Sequence, residues 1–229
     1  MAFGRSGGRR TRRRAREITG GENASCANGA RAGQIAAMST WAETERLRLR
    51  PFTPADGEAL AALHGDSEVM RYVDDGRPVP PEVTVTRTLR AWLAEYRDGP
   101  RGHGCFAAVN STTGQFVGWF SVRPAVSRGL DGAGTEVGYR LFPAVWGRGL
   151  ATEGLRTVVS KAFGELGAER VVARTMTINT RSRRVLEKAG LKLVRTFFLE
   201  WPEYLEGAEH GDVEYALTRQ EWASSAARY

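Results

Sequence analysis

"FPAVWGRGLATEGLRTVV", residues 142–159, joins an apolar run to an amphipathic one through two glycines set around an arginine. Beyond the glycines, Leu155, Val158, Val159, Ala162 and Phe163 recur at helical spacing, which predicts a helix from about Gly149 to Gly167. Ahead of them, "TEVGYRLF" at 135–142 reads as a strand. A helix N-terminus carries unpaired N–H groups and the positive end of the macrodipole. Glycines in the preceding turn let those groups approach an anion without obstruction by a Cβ. Gly147, Arg148, Gly149, Leu150 and Ala151 therefore form a candidate pyrophosphate cradle. A P-loop would end in Gly-Lys-Ser/Thr, which is absent. A dinucleotide fingerprint would have a third small residue where Thr152 stands, and an acidic residue after the next strand, which instead ends "RTMTIN".

Working outward, "RLRLRPF" alternates as a half-buried strand, and Thr53 caps a helix opening at Pro54 and ending near Gly65. A short helix in "DSEVMRYV" follows, then a longer one from Pro80-Pro81 to Gly99-Pro100. "GCFAAVN", "QFVGWFSVRP" and "TEVGYRLF" form an antiparallel meander. After the glycine turn the order is helix, strand "RVVARTMT", helix 180–189 closed by Gly190, then strands "LKLVRTFFL" and "DVEYALT". The expectation is one mixed α/β domain over 41–229, with a mostly antiparallel twisted sheet of six to seven strands and helices on both faces.

The chain has 229 residues, 41% apolar and 26% charged, which is enough to bury a sizeable core. Its net charge of +7 is uneven: residues 1–40 carry eight arginines against Glu17 and Glu22, and the other 189 residues are nearly neutral. The first forty residues read as a disordered Arg-rich extension, rich in Gly, Ala and Ser. A further reading of the abrupt change at Met38 is that the protein proper starts there and the preceding residues are an upstream extension. Nucleic acid binding is expected only through this extension, if at all. No stretch approaches the roughly 18 apolar residues of a membrane helix, and a cytoplasmic location is expected. Cys26 and Cys105 form no disulfide or metal pattern, and His64, His103 and His210 read as surface or loop residues. No metal is expected.

Four segments in this order carry a resemblance: "TERLRLRPFTPADGEAL", "GCFAAVNSTTGQFVGWFSV", "TEVGYRLFPAVWGRGLATEGL" and "NTRSRRVLEKAGLKLV". Together, over residues 44–222, they resemble the GNAT acyl-CoA-dependent N-acyltransferases, in the branch of the ribosomal-protein alanine N-acetyltransferases. The resemblance implies a GNAT-like fold splayed between the fourth and fifth strands of the pattern, with acetyl-CoA as cosubstrate. Backbone from Arg148 to Thr152 would hold the CoA pyrophosphate. Leu141 and Phe142, at the end of the preceding strand, would pair with the pantetheine arm, and Asn179 would touch it. Trp146 stands where the family often has Gln or Arg at the start of the turn.

Acyl transfer from a thioester to an amine requires a neutral amine, a polarised carbonyl and a proton for the departing thiolate. An α-amine, with pKa of about 7.7 to 8.0, needs only a modest base, whereas a lysine amine at about 10.4 needs far more help. Glu136, on the strand bordering the slot, is the candidate base. The family's usual acid, a tyrosine, is replaced by Leu186, and Ser182 is the substitute candidate. Asn179 is also a good helix cap. Carboxylates in 200–214, with Glu68, Asp74 and Asp75, would rim the acceptor cleft and attract a cationic amine. The expected reaction is direct acetyl transfer to a protein N-terminal α-amine, by a monomer or homodimer. A small-molecule amine such as an antibiotic or polyamine is the alternative. A nucleic-acid-binding protein and a CoA binder without catalysis are the competing classes.

Overall fold

The computed structural model describes residues 40–128, 134–199 and 205–226. The Arg-rich extension and Cys26 lie outside the described residues, as do residues 200–204 of the acidic stretch. Among the described residues eight strands make one sheet: β1 (Ala42–Glu43), β2 (Leu47–Pro51), β3 (Gly104–Asn110), β4 (Phe116–Pro124), β5 (Thr135–Leu141), β6 (Arg170–Met176), β7 (Lys192–Phe197) and β8 (Asp212–Thr218). Their spatial order is β1-β2-β3-β4-β5-β6-β8-β7. The strand beyond the expected six to seven is β1, whose two residues are too few to show any alternation. The helices are α1 (Gly57–His64), α2 (Ser67–Met70), α3 over 81–98, α4 (Leu150–Gly164), α5 (Thr180–Lys188) and α6 (Arg219–Ala226).

Side-chain alternation decides which helices cover which face. Leu47 and Leu49 of β2 are fully buried and Arg48 between them is exposed, as the strict alternation requires. In the central strands both phases are apolar, because both faces are covered. Phe106 and Ala108 of β3 pack with Leu155, Val158, Val159, Ala162 and Phe163 of α4, and with Leu186 of α5. Cys105 and Ala107 pack instead with Leu60 and Leu63 of α1 and with Leu89 and Trp92 of α3. Each large aliphatic or aromatic chain buried in this way is worth about 1.5–3 kcal/mol. Gly154 allows α4 to lie close on the sheet, since a Cβ there would meet the Phe120 ring at 2.2 Å.

Thr53 stands at the N-cap as expected and forms a capping box with Asp56, although the first turn, Pro54–Asp56, is 3-10 wound. Asp56 is also held by Arg50 at 2.7 and 2.9 Å. The long helix α3 starts at Pro81 as expected, but its centre, Thr84–Leu89, is π-wound. No helix of the described residues is long and apolar enough to cross a membrane.

Candidate active site

The site is organised by a failure of pairing. β5 and β6 run parallel and are bonded only through Thr135 with Val171 and Glu136 with Val172. From Val137 onward no such pairing joins them, so a slot opens toward the end of β5. This is the expected splay, numbered one strand later because of β1. Every other neighbouring pair in the sheet is antiparallel.

Alternation sends the two phases of β5 to opposite faces. Val137 and Leu141 lie in the core beneath α4, and Tyr139 packs against it. Glu136, Gly138 and Arg140 therefore face the α1–α3 side. Glu136 sits at the closed end of the slot, with Arg123 opposite it on β4. The Arg123 guanidinium is held by Glu95 through Nε at 3.0 Å and lies over the Trp92 ring.

On the α4–α5 side, the Tyr139 hydroxyl donates to Ser182 Oγ at 3.2 Å, bridging from β5 to the first turn of α5. Burial pushes the Tyr139 hydroxyl up to about 12, against the opposing effect of the Ser182 bond, so the group stays protonated. Asn179 caps α5 by accepting from the Ser182 amide at 3.1 Å, so the residue expected to cap also fixes Ser182. Leu186, at the position of the missing tyrosine, is buried in the core. Tyr139 was absent from the sequence-derived catalytic set. Its signal was the period-two phase of β5, which separates it from Glu136 by an odd number of residues.

The glycine turn has the form its sequence requires. Gly147 and Gly149 have φ of +73° and +81°, in the left-handed region where a side chain is strained. Gly149 is the N-cap of α4, and no side chain caps this helix. Nothing lies within 4 Å of a Cβ placed on Gly147, and residues 147–149 are exposed. This open first turn, with its N–H groups directed along a fifteen-residue helix, fits a pyrophosphate. Leu150 is buried, and Ala151 and Thr152 are half-buried. Arg46, from the β1–β2 region, clamps the turn by donating to Glu153 at 2.7 Å and to the Arg148 carbonyl at 2.9 Å. Trp146 donates its indole N–H to the Leu141 carbonyl at 2.7 Å, and its ring lies beneath Arg181. Phe142 donates its amide to the Val117 carbonyl and packs on Phe116. Leu141, Phe142 and Trp146 thus brace the turn, while Gly147 to Gly149 form its open surface.

The two acidic regions come together at the rim. Arg71 pairs with Glu206 at 3.0 Å, and Arg140 with Asp74 at 3.2 Å while lying over the Trp119 ring. His64 corrects the surface expectation: it is buried and accepts from the Trp119 indole at 3.2 Å. Burial in this aromatic cluster, reinforced by Arg140, lowers its pKa to about 3, so it is a neutral core residue. Cys105 is fully buried, and that burial raises its thiol to about 12, consistent with an inert bystander.

A strand pair splayed beside a glycine-capped helix defines a class. The acetyltransferase (GNAT) domain matches residues 46–192, and the chain belongs to this family of acetyl-CoA-dependent N-acetyltransferases. It is 37% identical over 183 residues to the FsC-acetyl coenzyme A-N(2)-transacetylase of Aspergillus fumigatus, covering 78% of this chain and 76% of that one. It is 33% identical over 195 residues to YdaF of Bacillus subtilis, provisionally assigned as a ribosomal N-acetyltransferase, covering 81% and 98%. Among solved structures, RimL, the ribosomal L7/L12 alpha-N-protein acetyltransferase in complex with coenzyme A, superposes with a TM-score of 0.62. That match has 18% identity and covers 79% of this chain and 98% of the other.

Proposed function

We propose that this enzyme acetylates an α-amine by direct transfer, with Glu136 as base and Ser182, backed by Tyr139, as acid. The observation that carries the reading is the placement of these groups on opposite faces of β5 beside one slot. Acetyl-CoA supplies an activated acyl group on a thioester. The chain's part is to hold its pyrophosphate on the backbone of Gly147 to Thr152, with Asn179 at the slot. Glu136 takes a proton from the amine, directly or through water, as the C–N bond forms on the α1–α3 side. Ser182 gives a proton to the sulfur as the C–S bond breaks on the α4–α5 side, and the Tyr139 hydroxyl stabilises the oxygen left behind. Keeping base and acid apart prevents them from neutralising one another.

The α-amine is supported by chemistry and by a relative. The base is a simple carboxylate, adequate for an amine of pKa about 8. The fungal relative's name assigns N(2) as its acceptor nitrogen. The relatives divide on what carries the amine. We take a small amino-acid-derived amine first, since identity is 37% to the FsC enzyme and 33% to the ribosomal one. A protein N-terminus is the second reading, supported by the latter. This reverses the order in which the sequence ranks the two carriers. The test is acetyl-CoA consumption against amino acids, amino-acid amides, diamines and N-terminal peptides. Turnover of ε-amines or diamines alone would refute the α-amine assignment.

A further inference from the structure

The acceptor face carries a charge pattern that acetyl transfer itself does not require. On β6, Arg170 and Arg174 point to the same face as Glu136, because Val172 between them is level with Glu136. Antiparallel register places Glu214 of β8 beside Arg174, and Arg195 of β7 beside Glu214. Three guanidinium groups therefore converge on one carboxylate. Glu214 Oε1 accepts from Arg170 at 3.1 Å. Its Oε2 accepts from Arg174 at 3.3 and 3.1 Å and from Arg195 at 3.1 Å. A carboxylate offers about four lone-pair sites, and Glu214 receives four bonds, so it is saturated. Three arginines bring about fifteen N–H donors, most of which Glu214 cannot accept. With Asp212, the next acidic group on this face of β8, the three strands carry two carboxylates against four basic side chains, of which Lys192 is paired with Glu221 outside the sheet.

The cluster is fixed and accessible. Arg174 and Arg195 both lie over the Phe197 ring, their guanidinium carbons 4.7 and 5.3 Å from its centroid. The arginine side chains are 21 to 46% exposed, while Glu214 beneath them is 8% exposed. Ala125, Val172 and Ala216 form a small apolar patch on the same face. Beyond the Glu136–Val172 pair the two strands part, and Arg174, two residues further along β6 in the same phase as Val172, lies beside the opened slot. Glu136 and the arginine cluster thus border one space.

We propose that Arg170, Arg174 and Arg195 form an anion-recognition site for the acceptor, which carries a carboxylate close to the amine it presents to Glu136. This rests on the proposed α-amine acetyltransfer and names the acceptor's second functional group. The outer acidic rim draws in the ammonium, and the inner guanidinium groups receive the carboxylate. Charge-assisted pairing sets the amine's orientation.

The test uses acceptors in pairs that share an α-amine and differ in one group: free amino acids and their carboxamides, compared at equal neutral-amine concentration. Wild-type kcat/KM is expected to favour the carboxylate at least tenfold. Arg195→Gln and Arg174→Gln, checked for an unchanged melting transition, are expected to reduce that preference tenfold or more. Equal use of acids and amides by the wild type, or an unaltered preference in both folded variants, would overturn the proposal. Should acetyl-CoA bind while no α-amine is turned over, the α-amine reading fails. The anion site is then read separately, by calorimetric titration with N-acetylglycine and N-acetylglycinamide. Stronger binding of the acid, lost in Arg195→Gln, upholds it, and equal binding refutes it.

Discussion

The two faces of β5 differ sharply in chemistry. One phase, Val137, Tyr139 and Leu141, is apolar apart from a single phenol and packs beneath α4. The other, Glu136, Gly138 and Arg140, is charged or bare and looks toward arginines and the acidic rim. β3, by contrast, is buried along both faces. The difference teaches how a strand could divide one reaction in two: in the proposed mechanism, amine chemistry belongs to the charged phase and thiol chemistry to the buried one. Substitutions on the two faces should then have different remedies.

The largest effect is expected at Glu136. Glu136→Gln should lower kcat by about 10²-fold or more. Raising the pH, which deprotonates the amine in advance, should restore part of the loss; a pH-independent defect would remove Glu136 from the amine side. Next is the cradle beyond the end of β5. Gly149→Trp combines a strained φ with bulk where anions approach, and acetyl-CoA affinity by calorimetry should fall by about 100-fold. Unchanged affinity in a folded variant would mean that the pyrophosphate lies elsewhere. On the thiol side, Ser182→Ala should cost about tenfold in kcat. Higher pH should not repair it, but an acyl donor with a more acidic thiol should.

The smallest effect on turnover is expected at a site belonging to neither face. Asp56→Asn breaks a largely buried ion pair with Arg50 and should cost about 3 kcal/mol of stability by denaturant titration, with little change in kcat. Burial alone would raise the Asp56 pKa, but hydrogen bonds from Arg50 and Thr53 outweigh it and hold the carboxyl below its ordinary value. The sign follows: the wild type keeps this stabilisation above about pH 4 and loses it as pH falls through the lowered pKa. Asp56→Asn should therefore show less acid destabilisation below pH 4 than the wild type.

Features set by local rules were legible in the sequence. The glycine turn, the α4 stripe, the Asn179 cap and the alternation of β2 each need only neighbours a few residues away. What escaped was set by distant partners. The π-wound turn at Thr84–Leu89 leaves no periodic signature in six residues. His64 is buried because Trp119, fifty-five positions later, supplies a donor for its ring. The Tyr139–Ser182 bridge spans forty-three positions. The arginine cluster depends on β8 lying between β6 and β7, and an order that departs from the chain cannot be read along it.

Arg46 carries a consequence in time. It closes the cradle by reaching Glu153, 107 residues further along the chain. At synthesis rates of roughly 5–20 residues per second, the first half of that clamp leaves the ribosome some 5 to 20 seconds before its partner. During that interval the nascent enzyme has its opening strands but not the proposed place for acetyl-CoA. Cofactor affinity should therefore arise late and abruptly as the chain grows, making acetyl-CoA a ligand of the nearly finished protein and not a template for its early folding.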